Sequence, residues 1–340
     1  MGKTIQVASD REYDDTKTVL PAEYVRGLYI KNAPSLRAIK LMHLMIATAG
    51  GRMADDVRHD IRVADINAIE GMAHHTKETL KPLFEELRAA VLTYDDPEAM
   101  KYTIGGFLDQ AVVDYRQEET GDILVSWFFG RMFRDMASKS DHWAILDRQT
   151  VFHLGSKYSV LLFQHIASLT GLEHIKSKSF TIPELRAVLG IPEGKLSRFS
   201  NLNQRTLQPA IEEINQLSRF NLKVVPKKIG RSVVTVEIAW SLKQNKEATK
   251  KELSNHSTGR KARRTGTVEQ AVEQRTPFPE TGTISFSEPW KTIARAHGNG
   301  KDIDLIATDF RNWCASGGIP LDKKGIEKTF MGFCKKVRIN

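Results

Sequence analysis

Between Leu196 and Phe220 the chain reads LSRFSNLNQRTLQPAIEEINQLSRF, and its polar residues have the chemistry of base recognition. Arg198, Asn201, Arg205 and Gln208 fall on one side of a helical wheel, with Gln204 at the flank. An Arg guanidinium bonds guanine O6 and N7 in a bidentate way, and an Asn or Gln amide does the same to adenine, so this set suits the major groove. Glu212 and Glu213 would repel phosphates, which restricts close approach to the first half of the helix. The other side, Leu207, Ala210, Ile211, Ile214 and Leu217, has the three-and-four spacing of a buried face. By itself this pattern also describes an ordinary amphipathic helix with a hydrated polar side. Pro209 lacks the amide that would bond the Arg205 carbonyl, so a bend is expected there. The straight segment before the bend would then lie in the groove, with Glu212 and Glu213 angled away from phosphate.

The segment C-terminal to the helix favours DNA. Leu222 to Pro226 and Val233 to Trp240 read as strands, joined by Lys227-Lys228-Ile229-Gly230-Arg231. Glycine permits the positive φ of a tight turn. Lys227, Lys228 and Arg231 make the turn cationic, able to sit on phosphate or reach a groove edge. A basic wing directly behind an Arg/Asn/Gln face is hard to explain as hydration alone.

The elements that would position these residues form a recurring order. Leu146 to Leu154 and Ser156 to Thr170 read as helices, Phe180 to Ile182 as a strand, and Pro183 to Leu189 as a short helix closed by Gly190. Upstream, a helix opens at Pro34-Ser35 and ends at Gly50-Gly51, and a short one spans Asp65 to Gly71. A longer helix, His75 to Ala90, turns Leu80, Leu83, Phe84 and Leu87 inward and His75, Lys77, Lys81 and Arg88 outward. Strands come next at Val91 to Tyr94, Tyr102 to Tyr115 and Ile123 to Phe129. Both runs have the order of a winged helix-turn-helix. In the first, His75, Lys77 and Lys81 are candidates for weaker DNA contacts. Its hairpin tip carries Glu118, Glu119 and Asp122, the wrong sign for phosphate, and suits a protein contact.

The expected fold is α+β, with tandem winged-helix domains at 18–140 and 141–243 behind a loose N-terminus, 1–17. A basic linker, 244–283, contains Lys250-Lys251 and Arg260-Lys261-Ala262-Arg263-Arg264, and reads as a solubilising tether or a tail adding phosphate contacts. A small all-α C-terminal domain, 284–340, would build its core from Trp290, Phe310, Trp313, Phe330 and Phe333.

Composition narrows the function classes. The 340 residues suffice for two or three domains, and 41% hydrophobic content argues against wholesale disorder. Fifty Lys and Arg against 41 Asp and Glu leave a net charge of +9, which fits a nucleic-acid partner where the excess is clustered. Two cysteines, Cys314 and Cys334, make neither a disulfide framework nor a metal site, so a reducing, cytoplasmic setting is the default. No apolar run approaches a membrane span, and the N-terminus lacks the apolar core of a signal peptide. No phosphate loop occurs: Gly300-Lys301 is followed by Asp302. His74-His75 are adjacent, without the apolar spacer of a nickase metal pair, and no nucleophile elbow is present. The expectation is a binding protein without catalytic residue, cofactor or metal.

From Leu154 to Trp240 the chain resembles the plasmid replication initiators of the RepA/RepB superfamily, the iteron-binding initiators of theta replication. The resemblance rests on Ser156-Lys157-Tyr158, Phe180-Thr181-Ile182-Pro183-Glu184-Leu185-Arg186, Leu189-Gly190-Ile191 and Phe199. It continues through Leu207, Pro209-Ala210, Glu213-Ile214-Asn215, Lys228 and Gly230-Arg231. Over Thr18 to Lys139 it is looser and rests on the repeated winged-helix order. It implies that the second winged helix reads a directly repeated double-stranded origin sequence, while the first contacts flanking DNA or forms a homodimer. It further implies that dimers repress the initiator's own promoter, and that monomers open the origin and recruit a host initiator and the replicative helicase. The long basic linker and extra C-terminal domain depart from a uniform pattern. Two rival readings stay open on the residues alone: a winged-helix transcriptional regulator without a replication role, and a nickase or primase built on the C-terminal domain.

Overall fold

The computed structural model describes residues 2–12, 14–26, 28–96, 99–116, 123–171, 175–192, 194–267, 277–323 and 325–337. The chain divides into two units, Met1–His256 and Ser257–Asn340.

The first unit starts with helix α1 (Lys3–Asp10), in a stretch expected to be loose. Its Ile5 and Ala8 are buried at helical spacing, and the Gly2 amide bonds the Ser138 carbonyl at 2.7 Å, which anchors the terminus. Strand β1 (Lys17–Pro21), helix α2 (Ala22–Arg26) and strand β2 (Leu28–Lys31) come next. Helix α3 (Leu36–Ala49) is capped by the Ser35 hydroxyl and buries residues almost all round, from Ala38 and Ile39 to Met45 and Ile46. A helix apolar on every side belongs in the middle of a core. Strand β3 (His59–Arg62) and helix α4 (Val63–Ala68) lead to α5 (Lys77–Ala89), opened by a Thr76/Thr79 capping box.

The strand expected over Tyr102 to Tyr115 is two strands. After β4 (Val91–Asp96), β5 (Lys101–Gly106) joins one antiparallel sheet in the order β2-β4-β5. Past the buried Phe107, β6 (Leu108–Asp114) joins another, with β7 (Leu124–Phe129) in its centre and β3 on the far edge. The changeover requires close backbone approach. A Cβ on Gly130 would lie 2.2 Å from the Gly106 carbonyl oxygen, where the Gly130 amide instead bonds Phe107 at 2.8 Å. The acidic tip read at Glu118, Glu119 and Asp122 lies outside the described residues.

Helix α6 (Arg131–Lys139) leads to β8 (Trp143–Asp147), which pairs with β1 and carries the Lys17–Asp147 ion pair at 2.8 Å. Part of the helix expected from Leu146 is therefore strand. Asp147 ends it and caps α7 (Arg148–His153). Helix α8 (Lys157–Leu169), strand β9 (Ser177–Thr181), helix α9 (Ile182–Val188), helix α10 (Phe199–Leu202), a π turn (Asn203–Leu207) and helix α11 (Gln208–Leu217) come next. Strands β10 (Phe220–Ile229) and β11 (Ser232–Leu242) complete a sheet in the order β10-β11-β9. This order repeats that of β6-β7-β3: in both, the strand ahead of the helix pair adds to the returning strand of the hairpin. The two winged helices share one hydrophobic core running from Ile5 to Leu253.

The linker expected at 244 begins as helix α12 (Lys246–Ser254), docked on the second winged helix. Leu253 is buried there, and the Gln216 amide donates to Glu252 at 2.9 Å.

The second unit contains α13 (Ser257–Arg264), α14 (Trp290–His297), α15 (Ile303–Ser316) and α16 (Ile326–Cys334). Its core packs Phe278, Trp290, Phe310 and Phe330, with Phe278 centred 4.7 to 4.9 Å from the other three rings. Phe278 falls inside the expected linker, yet it is buried and its amide bonds the Leu321 carbonyl at 2.9 Å. Trp313, expected in this core, is 45% exposed and stacks on Phe310 from outside. Cys314 and Cys334 are buried free thiols, and burial raises the pKa of both.

Candidate nucleic-acid interface

The Leu196–Phe220 stretch is helical from Phe199 to Leu217, but not a uniform α-helix. In the π turn the Gln208 amide reaches back five residues to the Asn203 carbonyl, and the Thr206 hydroxyl bonds the Leu202 carbonyl at 2.5 Å. Pro209 at the start of α11 cannot donate to Arg205, so the regular ladder gives way just before it. The expected straight segment ahead of Pro209 is thus a short α-helical turn and one widened turn. Leu207, Ala210, Ile211, Ile214 and Leu217 are buried as the spacing predicts, and Leu202 is buried with them.

On the outer side Arg198, Asn201, Gln204 and Arg205 are exposed. Gln208 is half-buried, with its amide nitrogen 3.5 Å from Asn203 Oδ1. Glu212 is exposed, whereas Glu213 is buried and accepts the Gly155 amide at 2.8 Å. Glu213 is therefore removed from the outer face by burial, with its carboxylate in the fold.

A residue that the sequence pattern did not single out sets the approach to this helix. Arg186, on α9, donates to the carbonyls of Leu196 at 2.9 Å, Pro192 at 3.1 Å and Lys195. It holds the turn that ends with Leu196 at φ +50°, immediately before Arg198. The signal available was an Arg in the last turn of a short helix, where a long basic side chain can reach nearby carbonyls. Helix α9 is itself fixed by a reciprocal Thr181/Glu184 capping box.

The wing is the β10–β11 hairpin. Ile229 pairs with Ser232, so Gly230 and Arg231 form a two-residue turn, with Gly230 at φ +59°. The register shifts between Lys227 and Lys228, a bulge just below the tip. The three wing cations are not equivalent. Lys227 Nζ lies 2.8 Å from Glu237 Oε2, and Ser177 donates to the same carboxyl at 3.0 Å. The bonds from Lys227 and then Ser177 lower the Glu237 pKa. Lys228 and Arg231 are exposed, and among the described residues no ion pair engages them.

In the first winged helix, Lys81 is exposed on α5. Lys77 is half-buried, with Nζ 4.9 Å from the Tyr115 ring centroid and 3.9 Å from Glu78. His75 does not face outward: it is 2% exposed. Asn67 clamps its backbone, accepting its amide at 2.7 Å and donating to its carbonyl at 3.0 Å, and burial lowers the ring's pKa. The buried His75 ring is not available to phosphate.

Among the described residues no group of three His, Cys, Asp or Glu side chains is placed to hold a metal ion, and no helix is long and apolar enough to cross a membrane.

Two helix-plus-wing units in series, with a basic wing behind an Arg/Asn/Gln face, make this a tandem winged-helix protein. The chain belongs to the plasmid replication initiator family: residues 28–167 match the model described as "Initiator Replication protein, WH1", and residues 181–240 match "Initiator Rep protein, WH2". Among solved structures it is similar to the Pi initiator protein in complex with iteron DNA. That match has a TM-score of 0.50 and 16% identity, covering 68% of this chain and 99% of that one. A structure of domains 2 and 3 of RctB matches with a TM-score of 0.37 and 12% identity, covering 61% of this chain and 80% of that one. No curated protein sequence matches significantly.

Proposed function

We propose that this chain initiates plasmid replication by binding directly repeated origin sequences, or iterons, as a monomer and opening the origin. In this reading α10, the π turn and the start of α11 enter the major groove. Arg198, Asn201, Gln204, Arg205 and, more weakly, Gln208 read bases there, while Lys228 and Arg231 hold phosphate and Lys227 supplements them. The observation that carries the reading is that one compact helix-and-sheet unit displays both the exposed Arg/Asn/Gln face and the cationic wing tip. Lys77 and Lys81 on α5 give the first winged helix a weaker, sequence-independent grip. The action is one of binding and DNA deformation, without a bond-making step.

Dimers formed through the first winged helix repress the chain's own promoter. Edge strand β5 supports this part, because Tyr102 and Ile104 stand 71% and 60% exposed along its free side. Recruitment of a host initiator and the replicative helicase, in the cytoplasm beside the plasmid, completes the proposal; it rests on the family.

The test is a plasmid carrying only the cognate origin region, a selectable marker and this gene. Stable maintenance, lost with Arg205→Ala, is the expected result. Tight binding to the origin region without maintenance would replace the proposal with a transcriptional regulator.

A further inference from the structure

Ile229 occupies the outermost pair of the β10–β11 wing and is 74% exposed. A lone exposed aliphatic residue needs no explanation. This one stands at the tip of a two-residue turn, between the exposed cations Lys228 and Arg231. The third cation is drawn back down the hairpin by Glu237, leaving an aliphatic point with a charge on either side. Val225 and Val234 in the same hairpin are 55% and 36% exposed. The bulge below the tip interrupts the regular ladder, a feature that strengthens local twist.

A cation at such a tip serves phosphate; an isoleucine offers DNA no hydrogen bond. What it offers is a rigid apolar wedge. Proteins that enter the minor groove insert Ile, Leu, Phe, Met or Pro between base steps and kink the duplex by about 20–90°. The negative potential of a narrow minor groove attracts the cations that flank such a wedge. We infer that the wing tip enters the minor groove beside the repeat, with Lys228 and Arg231 on the groove walls and Ile229 unstacking a base step. This rests on the DNA-binding reading above and adds a residue whose task is deformation of the duplex.

The experiment uses the full chain and a set of equal-length DNA fragments carrying one copy of the protected repeat at different distances from the ends. Gel mobility of the saturated complexes reports the bend. The wild-type complex is expected to be bent, and Ile229→Ala to lower the bend toward that of free DNA with an affinity loss below about tenfold. Ile229→Phe, which keeps a bulky apolar tip, should retain the bend. Lys228→Ala should bind more weakly yet bend fully once saturated. An Ile229→Ala complex bent like the wild type overturns the wedge alone. So does an Ile229→Ala defect seen on two-repeat DNA without a changed bend on one repeat, because the tip would then touch a neighbouring protein. Failure of the wild type to bind any repeat overturns the initiator reading, and the wedge with it.

Discussion

The carboxylate of Glu213, on α11, accepts the backbone N–H of Gly155 at 2.8 Å, just ahead of the Ser156 cap of α8. A negative group near a helix N-terminus is favourably placed, and here it ties the base-reading helix to the central helix of its domain. The acid that looked like an obstacle to DNA is part of the scaffold. Glu213→Ala should destabilise the fold by about 1–3 kcal/mol, the range for losing a charge-assisted hydrogen bond at a buried position. Glu213→Gln, which keeps an acceptor oxygen, should cost less. Urea unfolding of the three proteins measures the difference.

Base contacts should be graded by exposure along the helix. Arg205→Ala is expected to lose about 1–3 kcal/mol of specific binding and to blur the preference at one base position. Gln208→Ala should lose less, because Gln208 is half-buried beside Asn203. Arg186→Ala removes no DNA contact but releases the turn before Arg198, and should weaken specific binding more than nonspecific binding. Competition between repeat-bearing and random DNA separates these effects.

The wing lysines should differ as well. Lys228→Ala is expected to weaken binding to all sequences alike and to lower the slope of log affinity against log salt by about one. Lys227→Ala should change that slope less, since its ammonium already faces Glu237 at 2.8 Å. Titrations at several salt concentrations decide it, and equal slopes for the two variants would contradict the assignment.

Stability should fall on mild acidification. His43 is 1% exposed and bonded to Gln164 at 3.1 Å, His165 is 2% exposed and close to the Val25 carbonyl, and burial pushes both rings down to about 4. Folded rings stay neutral while unfolded ones take a proton near pH 6.5, so below that pH the unfolded chain binds more protons. Stability is therefore fully present above about pH 6.5 and declines as the pH drops toward 4, by up to about 3 kcal/mol per ring. Urea midpoints at pH 7 and pH 5 should show it, and His43→Gln should flatten the trend.

Much of this arrangement was legible in the residues. Apolar spacing on Leu207 to Leu217 and on Leu80 to Leu87 located both helices after the turn, because periodicity reports which side faces a core. The same wheel exposed Arg198, Asn201, Gln204 and Arg205 correctly. It failed where a neighbouring element folds back onto the residue. His75 precedes the Thr76 cap of α5 rather than lying on the helix, so the wheel does not apply to it; Asn67 of α4 holds its backbone and the ring is buried. Lys227 looks like its neighbour until the strand register brings Glu237 to it. The break at Phe107 was hidden because Gly105-Gly106 also fits a continuous strand, and only pairing of β5 with β4 and of β6 with β7 separates the two sheets. Pro209 announced a disturbance, though not that it would take the form of a π turn.

The central claim is that the second winged helix reads repeated DNA through the Arg198–Gln208 face. Hydroxyl-radical footprinting of the full chain on the DNA upstream of its gene tests this most directly. Regularly spaced protected repeats, in step with one or two helical turns and lost with Arg205→Ala at moderate salt, are predicted. Protection without regular spacing, or a pattern unchanged by Arg205→Ala, would contradict it.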